Sequence, residues 1–557
     1  MTPTEIANEL TAIYRTPNGT MTLRDVQGLI LLGADEVGGA WTNASVGLGK
    51  SLACALLMTV IGGARPLVVT EASNIPQMRA DFERFRLHWQ MPTYYRLESY
   101  ETISNRPELL DSLNPTFVAL DEAHRIKPYK DSARARRMDR WRRAHPAVPM
   151  ACLSGSPGED FDQYAHTLVW AVPALGSDQG GPIPLDPETG RPEGPAFKDL
   201  CKRLREDAAV HEAFWTRVRA TPGVVISDET YTEKPLHITH SILDTSDEML
   251  PHWERLRGDG EAPDGWVLDT GIGEQYQLAR MLANGMYYEH VPRPPKEFTE
   301  PRKAWFAMCK DVIEEGNPAH GDGGVLPCDT PGQVARAVLA GRLPRGPYDA
   351  WMRVKDTYRP VTKTTWLSHG ALEWAAAWGA ARAPLAERHR GGSIVWVDPI
   401  GVGEELAKMT GWPYFGAGAK AGRRHISTIC RPAARGEKID PVIICSSQSC
   451  ATGKNLQHRY HRNLFMSPPS NCKAAEQRIG RTHRSEQYNA TGVEVTMLYG
   501  CLEDWCAYAQ AEARARIAEQ DLTAPRKLLL AQHDRTSYPG EDAGPAWKRV
   551  SRVEVEI

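Results

Sequence analysis

The sequence predicts an α/β fold with two parallel-sheet lobes separated by a largely helical and irregular middle insertion. Three observations predict it. Short apolar runs alternate with amphipathic helical stretches over residues 23–175. The alternation lapses into a Gly/Pro-rich middle and resumes near Thr365. The chain, at 557 residues, is also too long for one ordinary core, since a domain takes ~100–200 residues.

The elements follow in order. Leu23–Leu32 reads as a helix, and a phosphate-loop-like segment, Ala44–Ser51, opens a second helix over Leu52–Ile61. Pro66–Thr70 (PLVVT), Thr116–Leu120 (TFVAL) and Pro149–Leu153 (PMACL) are strands of the doubly buried kind, with a helix over Gln77–Trp89 between the first two. Continuous apolar runs between helices argue for a parallel sheet covered on both faces. Gly176–Pro195 is a Gly/Pro/Asp-rich loop, and residues 198–290 read as mainly helical with one β-rich run at Leu236–Leu243. In the second half Ser393–Val397, Pro441–Cys445, Arg462–Met466 and Val493–Leu498 read as strands, and a helical tail runs to about Gln532. The resulting division is a first lobe over 1–240, an insertion and linker over 241–364, a second lobe over 365–520 and a tail over 521–557.

Composition narrows the function classes. Apolar residues make up 41% and charged residues 24%, the balance of a globular protein and not of a disordered one. A net charge of −3 excludes a simple polycation that coats nucleic acid. The 11 cysteines form no CxxC pair, which points to reduced thiols in a cytosolic protein. Cys309, His320 and Cys328 are a weak candidate ligand cluster, and His458 with His461 forms a lone HxxH. There is no run of ~18 apolar residues to span a membrane. The opening MTPTEIANEL lacks the basic-then-apolar pattern of a secretory signal, so a soluble cytoplasmic chain is expected.

The chemistry concentrates in the first lobe. In Ala44-Ser-Val-Gly47-Leu-Gly49-Lys50-Ser51, small residues let backbone N–H groups turn inward around phosphate oxygens, and the following helix adds its positive end. Lys50 would then reach the β- and γ-phosphates and the Ser51 hydroxyl would hold Mg²⁺. Asp121 and Glu122 close the strand TFVAL, at the carboxyl end where ligands bind in such sheets. Asp121 would fix Mg²⁺, and Glu122 would orient and deprotonate the attacking water. Gln27 lies on a helix 23 residues before Lys50; a lone glutamine there is ordinarily just solvated.

Taken together, Asp121-Glu-Ala-His-Arg-Ile-Lys127, Leu153-Ser-Gly-Ser-Pro157 and Gln477-Arg-Ile-Gly-Arg-Thr-His-Arg484 resemble the superfamily two DEAH-box helicases, most closely the Swi/Snf-type DNA translocases. Leu67–Ser73 with Gln77, Glu98–Ile103, Gly453–Leu456 and Gly500–Glu503 add to the likeness, which covers roughly residues 20–175 and 390–510. The resemblance implies two RecA-like lobes that clamp ATP with Mg²⁺ between them. It implies that Gln27 contacts adenine, that Gly47, Gly49, Lys50 and Ser51 cradle the phosphates, and that Asp121 holds the metal. His124, Ser154 and Ser156 would couple nucleotide state to grip on the track. Arg481 and Arg484 would act as arginine fingers with Gln477 beside them, and Ser73, Tyr100, Thr452 and Asn455 would touch nucleic acid. The sequence departs from the family at Ala44-Ser45 before the loop, at Glu71, at Val397-Asp398-Pro399 and at Cys450-Ala451.

Between Arg125 and Arg143 nine basic residues face two acidic ones, a local charge of +7 in nineteen residues. Arg134 and Arg137 of this run are expected to contact backbone phosphates; six such contacts would give a log–log salt slope of roughly −5. The expected activity is a nucleic-acid-stimulated ATPase that moves on DNA, duplex favoured, with no membrane partner. A strand-separating helicase acting on DNA or RNA is the alternative within that class, and an ATP-gated clamp that does not hydrolyse is the alternative outside it.

Overall fold

The computed structural model describes residues 1–44, 48–126, 132–227 (but for 156 and 159), 232–259 (but for 245 and 247), 262–263, 272–314 (but for 293 and 294), 330–389 (but for 360, 368 and 369), 391–416, 426, 429–430, 432–433, 437–450, 454–484, 487–522 and 525–535. Two all-parallel sheets organise it. The first contains β1 (Ala40–Asn43), β2 (Pro66–Thr70), β3 (Arg96–Ser99), β4 (Phe117–Asp121), β5 (Met150–Ser154) and β6 (Val224–Ile226), in the order β3-β2-β4-β5-β1-β6.

Alternation along each central strand explains why those runs are apolar throughout. Val118 and Leu120 of β4 face one core with Met150 and Cys152 of β5 and with Trp41, Phe161 and Trp215. Phe117 and Ala119 face the opposite core with Ala151, Leu153, Leu52 and Phe82. Helices on both faces cover the sheet, so each strand residue is buried whichever way it points. Three strands escape the sequence pattern: β1 is the four-residue AWTN, β3 is the polar run RLES, and β6 closes the sheet's far edge.

The second sheet holds β7 (Leu236–Ile242), β10 (Gly392–Val397), β11 (Tyr414–Phe415), β12 (Val442–Ser446), β13 (Tyr460–Phe465), β14 (Val493–Tyr499) and β15 (Gln532–Asp534), ordered β11-β12-β10-β13-β14-β7-β15. It too separates two cores, with Ile394 and Trp396 on one side and Val395 and Val397 on the other. Two expected boundaries are corrected here. The division at 240 cuts through β7, which pairs with β14 along its whole length. The tail expected from 521 takes part in both units: β15 pairs with β7, and Leu522 is fully buried in the first sheet's core. Pairing explains the two strands: β7 extends the second sheet beyond β14, and β15 covers its edge.

Between the sheets in sequence, β8 (Met286–Val291) and β9 (Val361–Trp366) form an antiparallel ribbon. Its base is anchored in the second unit through Met286, which packs with Val395 and Leu464. Three helices lie between its strands, Lys296–Glu314, Pro331–Leu339 and Gly346–Val354, around a core of Trp305, Cys309, Val312, Val334, Ala337 and Val338. Cys309 is therefore a packing residue; His320 and Cys328, named with it as ligand candidates, lie outside the described residues. Among the described residues no helix is long and apolar enough to cross a membrane.

Candidate functional site

The candidate site forms where the carboxyl ends of β1, β2, β4 and β5 meet the helix Lys50–Val60. Its N-cap, Gly49, has φ +75°, and a Cβ there would stand 2.1 Å from Gln27 Nε2, so only glycine fits. Lys50 is buried and its Nζ donates to the Ala44 carbonyl at 2.7 Å. Burial lowers its pKa against the raising influence of Glu122 and Asp121. Ser51 follows in the first turn, half-buried. Gly47 lies outside the described residues, as do Ser156 and Thr452. Asn43, at the end of β1 just before the loop, buries its Nδ2 without a partner among the described residues.

Gln27 departs from expectation. Its Nε2 donates to the carbonyls of Leu48 (3.1 Å) and Gly49 (3.2 Å), and its Oε1 accepts from the Arg24 N–H at 2.9 Å. The carboxamide is therefore committed to bracing the phosphate loop, and its reach to an adenine edge is not what this arrangement shows. A buried amide must satisfy its own hydrogen bonds first, and the loop backbone is the nearest partner.

Asp121 ends β4 and is buried. Its Oδ2 accepts from Thr70 Oγ1 at 2.8 Å and from Asn74 Nδ2 at 3.2 Å, two partners that the sequence patterns did not single out. Burial, and then the neighbouring Glu122, push its carboxyl up to about 7. Glu122 has φ +53°, a left-handed conformation in a non-glycine residue, and such strain clusters at functional sites. Burial acts to raise Glu122, but the hydrogen bond from His124 and the positive charges of Lys50 and Arg481 outweigh it and hold the carboxyl below its ordinary range.

His124 joins several of these groups. Its Nδ1 lies 3.3 Å from Glu122 Oε2 and 3.0 Å from Ser154 Oγ, and its Nε2 lies 3.4 Å from Gln477 Nε2 of the second unit. An amide N–H facing Nε2 puts the ring proton on Nδ1, where it can be donated to Glu122 or Ser154. Burial lowers the His124 pKa to about 4, so the ring is neutral near pH 7.

The second unit supplies the arginines. Arg481, 4% exposed, donates from Nε to the Gln477 carbonyl at 3.0 Å and from Nη1 to the Lys454 carbonyl at 3.2 Å. Burial and then Arg484 lower its pKa to about 10, and the nearby Glu122 opposes that shift. Arg484 donates from Nη1 to Asn455 Oδ1 at 2.8 Å. Lys50, Asp121, Glu122, His124, Gln477, Arg481 and Arg484 thus converge from two separate sheets.

The expected nucleic-acid contacts fare differently. Tyr100 is fully buried and its hydroxyl donates to the Asp121 carbonyl at 2.7 Å, so it positions the acidic strand end and does not face a ligand outside. Asn455, half-buried, accepts from Arg484 through its Oδ1, which leaves its amide nitrogen uncommitted by that bond. Ser73 is exposed in the turn after β2.

The basic run is corrected in part. Arg137 is buried and donates from Nη1 to the carbonyls of Ile103 (2.8 Å) and Ser104. Arg142 caps the Val148 and Trp170 carbonyls, Arg143 pairs with Asp139, and Arg125 pairs with Glu71. Lys127, Lys130 and Asp131 lie outside the described residues, and Arg134 is half-exposed at the start of the helix Ala133–Ala144. Four of the nine basic side chains thus hold the first unit together, Arg137 and Arg142 through bonds to buried carbonyls and Arg125 and Arg143 through ion pairs.

Sequence reasoning missed the bridge made by residues 521–527. Asp521 accepts from His211 Nε2 of the first unit at 2.7 Å. Arg526 Nη1 reaches the Gly155 carbonyl, next to Ser154, at 3.5 Å. The Lys527 backbone N–H donates to Glu476 Oε1, one residue before Gln477. No motif marks this stretch, because its role lies in where the helix Leu502–Leu522 ends, between the two sheets.

Among the described residues no group of three or more His, Cys, Asp or Glu side chains is placed to hold a metal ion by itself. Mg²⁺ needs only one or two protein oxygens and completes its shell with phosphates and water; the Asp121 carboxylate and the Ser51 hydroxyl are the oxygens that could serve it. The chain matches no family model and no curated protein.

Proposed function

We propose that the chain is a nucleic-acid-stimulated ATPase with two RecA-like lobes, one that converts Mg²⁺-ATP hydrolysis between them into movement along DNA. The observation that carries this reading is the convergence of Arg481, Arg484 and Gln477 from one parallel sheet on Lys50, Asp121 and Glu122 from the other. Neither unit alone holds a phosphate cradle, an acidic pair and arginines.

Each group has a role in that reaction. Lys50 and the amide end of its helix bind the β- and γ-phosphates. A Mg²⁺ ion held by Asp121 and Ser51 would supply positive charge that offsets the charge developing on the phosphates. Asp121, buried at the end of β4 and held by Thr70 and Asn74, would present its carboxylate to that ion. Glu122, held ionised, accepts a proton from the attacking water. Arg481 and Arg484 donate to the γ-phosphoryl oxygens as charge spreads over them, and their planar forks match that geometry. Because the arginines sit on the second unit, turnover depends on closure of the two units. Loss of the γ-phosphate removes the group that both sides hold, which is how hydrolysis would drive a stroke.

Phosphate release measured with and without duplex and single-stranded DNA tests the reading. The proposal expects stimulation by nucleic acid, and no stimulation by any nucleic acid defeats it.

A further inference from the structure

We infer that the three-helix insertion on the β8–β9 ribbon is a docking platform for single-stranded nucleic acid. Its helix Lys296–Glu314 has two apolar faces. Trp305, Cys309 and Val312 point into the small core, whereas Phe298 and Phe306, two turns apart, lie on another face with Arg302 between them.

That second face continues into a row of rings. Tyr358 lies 4.8 Å from Phe298, Phe298 lies 5.4 Å from Trp351, and Trp351 lies 6.3 Å from Phe306, centroid to centroid. The Arg302 guanidinium stands over the Phe306 ring at 5.3 Å and closes the row. Phe306 is 42% exposed, and Phe298, Trp351 and Tyr358 are each half-buried, so the row reaches solvent while the core rings do not. Arg353, Lys355 and Arg359 are exposed in the segment that carries Trp351 and Tyr358.

Charge identifies the partner. Residues 330–359, which carry Trp351 and Tyr358, hold six basic residues against two acidic ones, while the helix Lys296–Glu314 is balanced at four of each. Rings in a row, flanked by exposed guanidinium and ammonium groups, match a strand whose bases stack while its phosphates run alongside. A duplex keeps its bases stacked on one another and would offer this surface only phosphates. An acidic protein segment would meet the charges but leave the row of rings without matching faces. The inference rests on the reading above for its biological setting, a motor that meets unpaired strands, and it names the strand state that the insertion engages.

Fluorescence anisotropy of the full chain without nucleotide, titrated into a labelled short oligothymidylate and into a duplex of matched length, tests it. Phe306→Ala is expected to weaken single-strand binding about 10-fold and to leave duplex affinity within about 2-fold. Phe306→Trp is expected to retain single-strand affinity, which separates lost stacking from a disturbed fold. Arg359→Ala, fully on the surface, is expected to weaken binding and flatten its salt dependence by about one counterion. Wild-type chain that does not bind the oligothymidylate, variants that bind it as the wild type does, or equal losses on both substrates would each overturn the inference; unchanged affinities would be the result for a protein-docking surface. The motor reading fails separately, through phosphate release that no nucleic acid stimulates, even where Phe306→Ala weakens oligothymidylate binding as expected.

Discussion

Gln477 of the second unit meets His124 of the first, Nε2 to Nε2 at 3.4 Å, and His124 passes the contact on to Glu122 and Ser154. One imidazole therefore touches the acid that would activate water, the end of β5 and the second unit. In the proposed reaction this ring would join turnover to closure.

Removing the joint should affect turnover more than binding. Gln477→Ala is expected to lower nucleic-acid-stimulated turnover about 10-fold, a loss in the range set by a single positioned group, while ATP affinity stays within about 2-fold. Steady-state phosphate release beside nucleotide binding checks this; equal losses in both would show that Gln477 only helps hold ATP.

Gly49 carries two demands at one position. Gly49→Ala must adopt a left-handed backbone and displace the Gln27 amide from the phosphate loop. A cost of about 1–3 kcal/mol is expected, with ATP binding lost first because the loop itself deforms. Urea unfolding and nucleotide titration of the variant measure the two effects.

The bridge from the C-terminal helix into the first unit should be structural before it is catalytic. Leu522 is fully buried in the first unit's core although its helix begins in the second unit. Leu522→Ala is expected to destabilise by about 2–5 kcal/mol. Asp521→Ala, which removes the partner of His211 at a half-buried position, should cost less. Denaturant midpoints rank the two, and a neutral Leu522→Ala would contradict the packing.

His166 makes a pH prediction. It is buried, its Nε2 lies 3.0 Å from the Ile126 carbonyl, and burial lowers its pKa from 6.5 to about 4. The folded state keeps this ring neutral while the unfolded chain protonates near 6.5, so the stabilisation is present above pH 6.5 and is lost as pH falls towards 4. For one such group the loss between pH 7 and 5 is about 2 kcal/mol. His166→Gln, which keeps an N–H for the carbonyl, should lose about that much less over the same interval in urea unfolding; an identical slope would contradict a neutral His166.

How far the sequence could be read follows from what each residue touches. The central strands β2, β4, β5, β10 and β12 were legible because both faces of each sheet are covered, so their apolar runs have no polar alternation to obscure them. The nearness of Lys50 to Asp121 and Glu122 was legible because strand ends and the helix that follows β1 meet at the same edge of a parallel sheet. The true partners of Gln27, Tyr100, Arg137 and Asn455 were not legible: each satisfies a backbone group or side chain that only the folded chain brings near. β7 and β15 were misplaced for a related reason, since a strand's sequence gives its period and not the sheet it joins. The aromatic row of the insertion was hidden because residues 298, 306, 351 and 358 share no local pattern.

The central claim is that the second unit completes the first unit's chemistry, and Arg481 tests it most directly. Phosphate release by Arg481→Ala at saturating ATP and nucleic acid should fall by about 10³-fold or more, with ATP still bound by Lys50 and its loop. Turnover at the wild-type rate would contradict the account, because hydrolysis would then need nothing from the second sheet.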